Sequence, residues 1–271
     1  MTKCKAILRA ILMVITFSIL SPLCVSAQEK ESEKPLRPVT SVFTVELGRQ
    51  SALDTYLTPI RYWGLDVVLG YERLRAVSFA PEKWFTRHNV SGSFASMTNQ
   101  SGSGSMLSFY LDYSFAMLRR WQLLDRLYVS GGEAALTLGG LYNLRNSNNP
   151  ATAKAAIDVG ATAMASYHFC ISRLPVTLRY QVSLPVIGTF FSPEFGQSYY
   201  EMFGIGNCSG IVHFGAWHNR VDVRNYISVD LHVGKRALRL GYRQVMRTTH
   251  INSIDTQVLT HTFVLGISGE I

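Results

Sequence analysis

The chain has 271 residues, of which 47% are hydrophobic and only 16% charged. That charged fraction is well below the roughly 25% of an ordinary soluble domain. The formal charge is +8, but no basic run tracks along the sequence as a phosphate-binding surface would require, so nucleic acid is excluded as a partner.

The N-terminus reads as an address. Lys3, Lys5 and Arg9 form a positive segment, Ala10 to Leu20 an apolar one, and Val25-Ser26-Ala27 a small-residue cleavage motif. This pattern predicts a secretory signal peptide over residues 1–27, cut between Ala27 and Gln28. The apolar stretch is too short for a comfortable helical span. Residues 28–40 are polar and contain Pro35 and Pro38, which predicts a flexible leader.

From residue 41 to 271 the pattern changes to a period of two, the signature of strands with one apolar and one polar face. Phe43, Val45 and Leu47 alternate with Thr44, Glu46 and Gly48. Trp63, Leu65, Val67, Leu69 and Tyr71 alternate with Gly64, Asp66, Val68, Gly70 and Glu72. The pattern returns at Phe109–Met117, Ile157–Phe169, Val176–Leu184, Ile227–Val233 and Leu259–Ile267. Arg87–Met97 alternates weakly, and Phe190–Asn219 is too rich in glycine and aromatics to fix strand ends. Short turn signals at Ser172–Pro175 and Gly234–Arg236 alternate with longer polar stretches at Gln100–Gly104 and Arg145–Pro150.

This arrangement predicts an all-β fold, a single antiparallel transmembrane β-barrel of about twelve strands, with ten as the alternative. Large apolar and aromatic side chains fill one face, while Gly, Ser, Thr, Asp and Arg fill the other. A soluble barrel would instead wet its outside with Lys and Glu. Trp63 and Tyr71 share a face eight residues apart, roughly 20 Å in height for a tilted strand. That approximates the spacing of two interfacial aromatic girdles.

The segment Asp54-Thr55-Tyr56-Leu57-Thr58-Pro59, followed by Arg61-Tyr62-Trp63-Gly64, resembles an uncharacterised family of small Gram-negative outer-membrane β-barrel proteins. The resemblance extends over most of the chain and implies a barrel placed in the outer membrane, with lipid and the barrel-assembly machinery as partners. It implies no activity. Many such barrels end on an aromatic residue, whereas this chain ends Gly269-Glu270-Ile271.

On this register Glu46, Asp66, Glu72, Asp112, Asp158, Arg179, Asp230, Arg239 and Arg243 face the lumen, where charges of both signs should pair. Ser228, Asp230 and His232 share one side of a strand, but same-face neighbours lie about 6.8 Å apart. They therefore cannot form a catalytic relay without cross-strand partners, and no catalytic residue is assigned. The seven histidines show no metal-ligand spacing, and no cofactor motif is present. Cys170 and Cys208 survive cleavage and are a possible disulfide in an oxidising compartment. The expected function is a structural, interaction or narrow-pore role. The alternatives are an outer-membrane hydrolase acting on lipid or peptide, and a soluble periplasmic ligand-binding barrel.

Overall fold

The structure is a computed structural model that describes residues 39–123, 126–145, 149–234 and 236–270. The expected signal peptide, the expected Ala27/Gln28 cleavage point and most of the expected leader lie outside the described residues. Eleven strands follow one another in the chain. These are β1 (Val39–Asp54), β2 (Thr58–Ala76), β3 (Trp84–Asn99), β4 (Ser105–Leu123), β5 (Arg126–Asn143), β6 (Ala151–Ile171), β7 (Leu174–Phe191), β8 (Val212–Ala216), β9 (Arg220–Val233), β10 (Arg236–Ile251) and β11 (Ile254–Glu270). A short π-helical turn, Tyr200–Ile205, precedes β8. No helix among the described residues is long and apolar enough to cross a membrane.

Each strand pairs antiparallel with its chain neighbour from β1 to β7 and from β9 to β11. β1 then pairs with β11, from Thr40 opposite Glu270 to Asp54 opposite Thr256. β7 pairs with β9 through Val176–Ser183 and with β8 through Ile187–Phe191. β8 and β9 thus lie end to end along one neighbour and form a single strand broken at Trp217–Asn219. The barrel closes with ten strands, the lower of the two counts that the sequence allows and an even one. Closure satisfies backbone donors and acceptors around the ring and leaves no long free edge, which a bilayer interior demands.

The polarity is inside out. Phe43, Leu65 and Phe263 are 66%, 61% and 74% exposed, while Glu46, Asp66 and Arg239 are 0%, 0% and 1% exposed. The outward residues of β2 run Trp63, Leu65, Val67, Leu69, Tyr71 between Arg61 and Arg73, an apolar band bounded by charge at each end. The soluble-barrel alternative requires the opposite arrangement.

Both chain ends of the barrel lie at one rim, with two-residue connections at 124–125, 172–173 and 234–235 and a seven-residue one at 77–83. The other rim carries the 20-residue connection 192–211. Ser172 closes its turn at a φ of 59°, and Asn252 and Ser253 close the β10–β11 turn at 53° and 59°, the left-handed region of tight hairpin turns. The glycines of the inner face permit close strand approach. A Cβ at Gly48 would sit 1.9 Å from the His261 carbonyl oxygen, and one at Gly64 1.9 Å from that of Ser96.

Candidate functional site: an ion-paired lumen

Side chains on strands that are not neighbours can meet only through the barrel interior, and here they meet as ion pairs. On one side Arg239 (β10) grips Asp230 (β9) with two hydrogen bonds, Nε to Oδ1 at 2.6 Å and Nη2 to Oδ2 at 2.8 Å. The same guanidinium reaches Glu72 (β2) at 3.2 Å, and Arg179 (β7) reaches Glu72 at 3.4 Å and Asp230 at 3.8 Å. A second cluster joins Asp222, Arg220 and Arg224 of β9, Arg247 of β10, Asp112 of β4 and Asp158 of β6. Arg247 meets Asp112 at 2.7 Å, Arg224 meets Asp222 at 3.1 Å, and Arg220 meets Asp158 at 2.7 Å. Two pairs complete the layer, Arg87–Glu133 at 2.5 Å and Arg243–Glu46 at 3.3 Å, and a further pair, Lys154–Asp54 at 2.7 Å, lies toward the long-loop rim.

Neutral donors fill remaining valences. Thr262 donates to Glu46, Thr137 to Asp112 and Ser183 to Glu133, each at 2.8 Å. Arg243 lies over the Tyr226 ring at 4.6 Å, and Arg247 over Tyr110 at 4.7 Å. The paired carboxylates and basic groups are equal in number. Asp66 is left over: it is fully buried, and neither carboxylate oxygen has a hydrogen-bond partner.

Apolar clusters lie on both sides of this layer. Ala52, Leu57, Tyr62, Met97, Met106 and Leu141 pack inside the rim that carries the long loop. Phe85, Ala116, Leu118, Val129 and Met164 pack toward the opposite rim. Among the charged groups lies a cavity of about 50 Å³, room for a few water molecules. Its lining includes Glu72, Arg87, Asp112, Glu133, Arg224 and Arg247.

The long connection folds over its rim. Tyr56 in the β1–β2 turn donates its hydroxyl to the Gln197 carbonyl at 2.8 Å. The Tyr199 hydroxyl accepts from the Ala153 backbone N–H at 2.5 Å. Met202 is fully buried, and Asn252 reaches the Pro193 carbonyl at 3.4 Å. Burial, helped by the nearby charges of Tyr199 and Asp54, pushes the Tyr56 phenol up to about 12.

Residues 10–271 match the family described as "Protein of unknown function (DUF3316)". The chain belongs to the DUF3316 family. No curated protein matches the DUF3316 chain. Among solved structures it is similar to the transport unit of the autotransporter AIDA-I from Escherichia coli, at 9% identity and a TM-score of 0.48 over 94% of this chain and 96% of that one. It is similar also to the outer-membrane protease OmpT from Escherichia coli, at 6% identity and a TM-score of 0.47 over 90% and 100%. The translocator domain of the autotransporter NalP from Neisseria meningitidis gives 7% identity and a TM-score of 0.40 over 98% and 97%. Values at this level transfer no activity to the DUF3316 chain.

In the DUF3316 barrel, Glu46, Glu72, Asp112, Asp158, Arg179, Asp230, Arg239 and Arg243 each enter an ion pair, whereas Asp66 enters none. Their partners Arg220, Arg224 and Arg247, together with Asp222 and the Arg87–Glu133 and Lys154–Asp54 pairs, are not distinguished by the sequence. Arg87 lies where alternation is weak, and Arg220, Asp222 and Arg224 follow the stretch whose strand ends cannot be read. The Ser228, Asp230, His232 set does not assemble. Asp230 is held by arginines, the Ser228 hydroxyl has no hydrogen-bond partner, and His232 joins His168 through the Thr177 hydroxyl, at 2.8 and 2.9 Å.

The Cys170–Cys208 pair is corrected. Cys170 is free and exposed near the turn that follows β6, while Cys208 belongs to the connection at the opposite rim. The 18 residues of β7 run between those rims, about 60 Å of extended chain, against the roughly 7 Å between Cα atoms that a disulfide tolerates. No group of three or more His, Cys, Asp or Glu suited to a metal occurs among the described residues.

Proposed function

We propose that this chain is an outer-membrane β-barrel with a closed lumen, acting as a membrane scaffold whose long-loop rim serves interaction rather than as an open pore. The observation that carries this reading is the ion-paired layer, which crosses the barrel from β9 and β10 to β2 and β4. The apolar outer band and the sequence pattern of residues 1–27 support the outer-membrane location. Lipid and the barrel-assembly machinery are the partners that this reading requires.

Two measurements test it. Fractionation with heat-modifiable migration in detergent gels should place the folded protein in the outer membrane; recovery in the soluble fraction after osmotic shock overturns the location. In planar bilayers the purified barrel should give no steady conductance above that of the lipid. Reproducible unitary currents would establish a pore and sink the scaffold reading.

A further inference from the structure

The outer wall is not uniform at the rim that carries the short turns. On β2 the apolar band stops at Tyr71, and the next outward residues are Arg73 and Arg75, both exposed. Pairing sets Arg75 opposite Thr86 and Arg73 opposite His88 on β3. Across β3, Thr86 faces Met117 and Trp84 faces Arg119 on β4. Arg73, Arg75 and Arg119 therefore project from one patch of outer wall, with β3 between them. Adjacent strands are about 4.8 Å apart, so β2 and β4 are separated by roughly 10 Å. Two extended guanidinium side chains can converge across that gap on one bound group.

The floor between them is low. Thr86 is the short side chain in the row, and its hydroxyl donates to the Arg75 carbonyl at 3.3 Å. The near side has aromatic walls. The Arg119 guanidinium lies 4.1 Å from the Trp121 ring centroid and 5.9 Å from that of Trp84. Stacking holds the cation in place without neutralising it. Among the described residues no carboxylate pairs with Arg73, Arg75 or Arg119; Glu82, in the adjoining connection, is exposed and makes no ion pair with them. This contrasts with the lumen, where every cationic partner is matched.

We infer that Arg73, Arg75 and Arg119, floored by Thr86 and walled by Trp84 and Trp121, form a binding site for the phosphate headgroup of an anionic phospholipid. The apolar residues immediately toward the membrane centre, Leu69, Tyr71, Phe115 and Met117, would lie along the acyl chains of the same lipid. The occupant follows from charge complementarity, since an uncompensated basic cluster at the edge of an apolar band matches a lipid that carries negative charge at its headgroup. Zwitterionic lipids offer the same chains without the net charge. This inference rests on the membrane reading given above, while the scaffold role plays no part in it.

The test uses the whole barrel, purified in detergent and reconstituted into nanodiscs of phosphatidylcholine and phosphatidylglycerol. Retained lipid is read by native mass spectrometry after mild delipidation. Wild-type protein should retain phosphatidylglycerol over phosphatidylcholine, with about a fivefold contribution from each arginine. Arg73→Gln, Arg75→Gln and Arg119→Gln together should abolish the preference, and each alone should weaken it. Arg61→Gln, beyond the other edge of the band, should leave it unchanged. Equal retention of the two lipids by wild type overturns the site, as does an undiminished preference in the triple variant. Should the triple variant fail the heat-modifiability check, the single variants decide, because each removes one surface charge without touching the lumen. Failure of wild type to enter nanodiscs as a heat-modifiable species would instead strike the membrane reading itself.

Discussion

Individual lumen residues differ in how they are compensated, and their substitutions should differ accordingly. Arg239 is 1% exposed and joins Asp230 and Glu72. Arg239→Ala leaves Asp230 and Glu72 to share Arg179 in a water-poor interior, where removal of one partner of a buried pair costs about 3–5 kcal/mol. The expected result is a lower urea midpoint for loss of the heat-modifiable form. Asp66 gives the opposite sign. Its carboxylate has no hydrogen-bond partner, so replacing the charge with a neutral amide in Asp66→Asn should stabilise the barrel by about 1–3 kcal/mol, read as a higher midpoint. Asp66 and Glu72, two carboxylates on one face of β2, are thus distinguished only by what lies across the lumen.

At the level of elements, the connection 192–211 is held to the barrel mouth by a phenol. The Tyr56 hydroxyl can donate to Gln197 only while protonated, and its folded value of about 12 exceeds the free value of 10.0. A proton bound more tightly in the docked state stabilises docking in full below pH 10, and that contribution is lost as pH rises through about 12. A fluorophore on Ser198→Cys in a Cys170→Ser, Cys208→Ser background should report loosening over that window, and Tyr56→Phe should remove the phenol-dependent part. Strand contact supplies a second element-scale prediction. A Cβ at Gly48 would overlap the His261 carbonyl at 1.9 Å. Gly48→Val should therefore strain the β1–β11 seam, at a cost of about 1–3 kcal/mol or more, and lower the yield of heat-modifiable protein.

For the molecule as a whole, the question is whether charge fills the lumen or lines a passage. The arginines of β9 and β10 span the interior to Asp112 on β4. Arg224→Ala with Arg247→Ala removes two large side chains, leaves Asp112 without a basic partner and leaves Asp222 with Arg220 alone. In bilayers this double variant should show small cation-selective openings absent from wild type. Continued silence would indicate that the apolar clusters on either side, around Met106 and around Leu118, seal the barrel without the charges.

Alternation along single strands specified a great deal by itself. Because successive side chains of a strand point to opposite faces, Phe43, Leu65 and Phe263 could be assigned to one side and Glu46, Asp66 and Arg239 to the other without knowledge of any neighbour. The closed antiparallel class and the polar interior followed. Strand number was less legible, because β3 places Ser91, Ser93 and Ala95 inside and Gly92 and Ser96 outside, which flattens its contrast, and because the break between β8 and β9 makes one wall position read as two. Ion-pair partners were not legible at all. Arg87 meets Glu133 and Lys154 meets Asp54 across strands distant in the chain, and only closure, with its strand stagger, sets which side chains share a level. The sequence determined the inward face of the cleanly alternating strands; the tertiary structure decided which charges cancel, leaving Asp66 without an ion pair among the described lumen carboxylates.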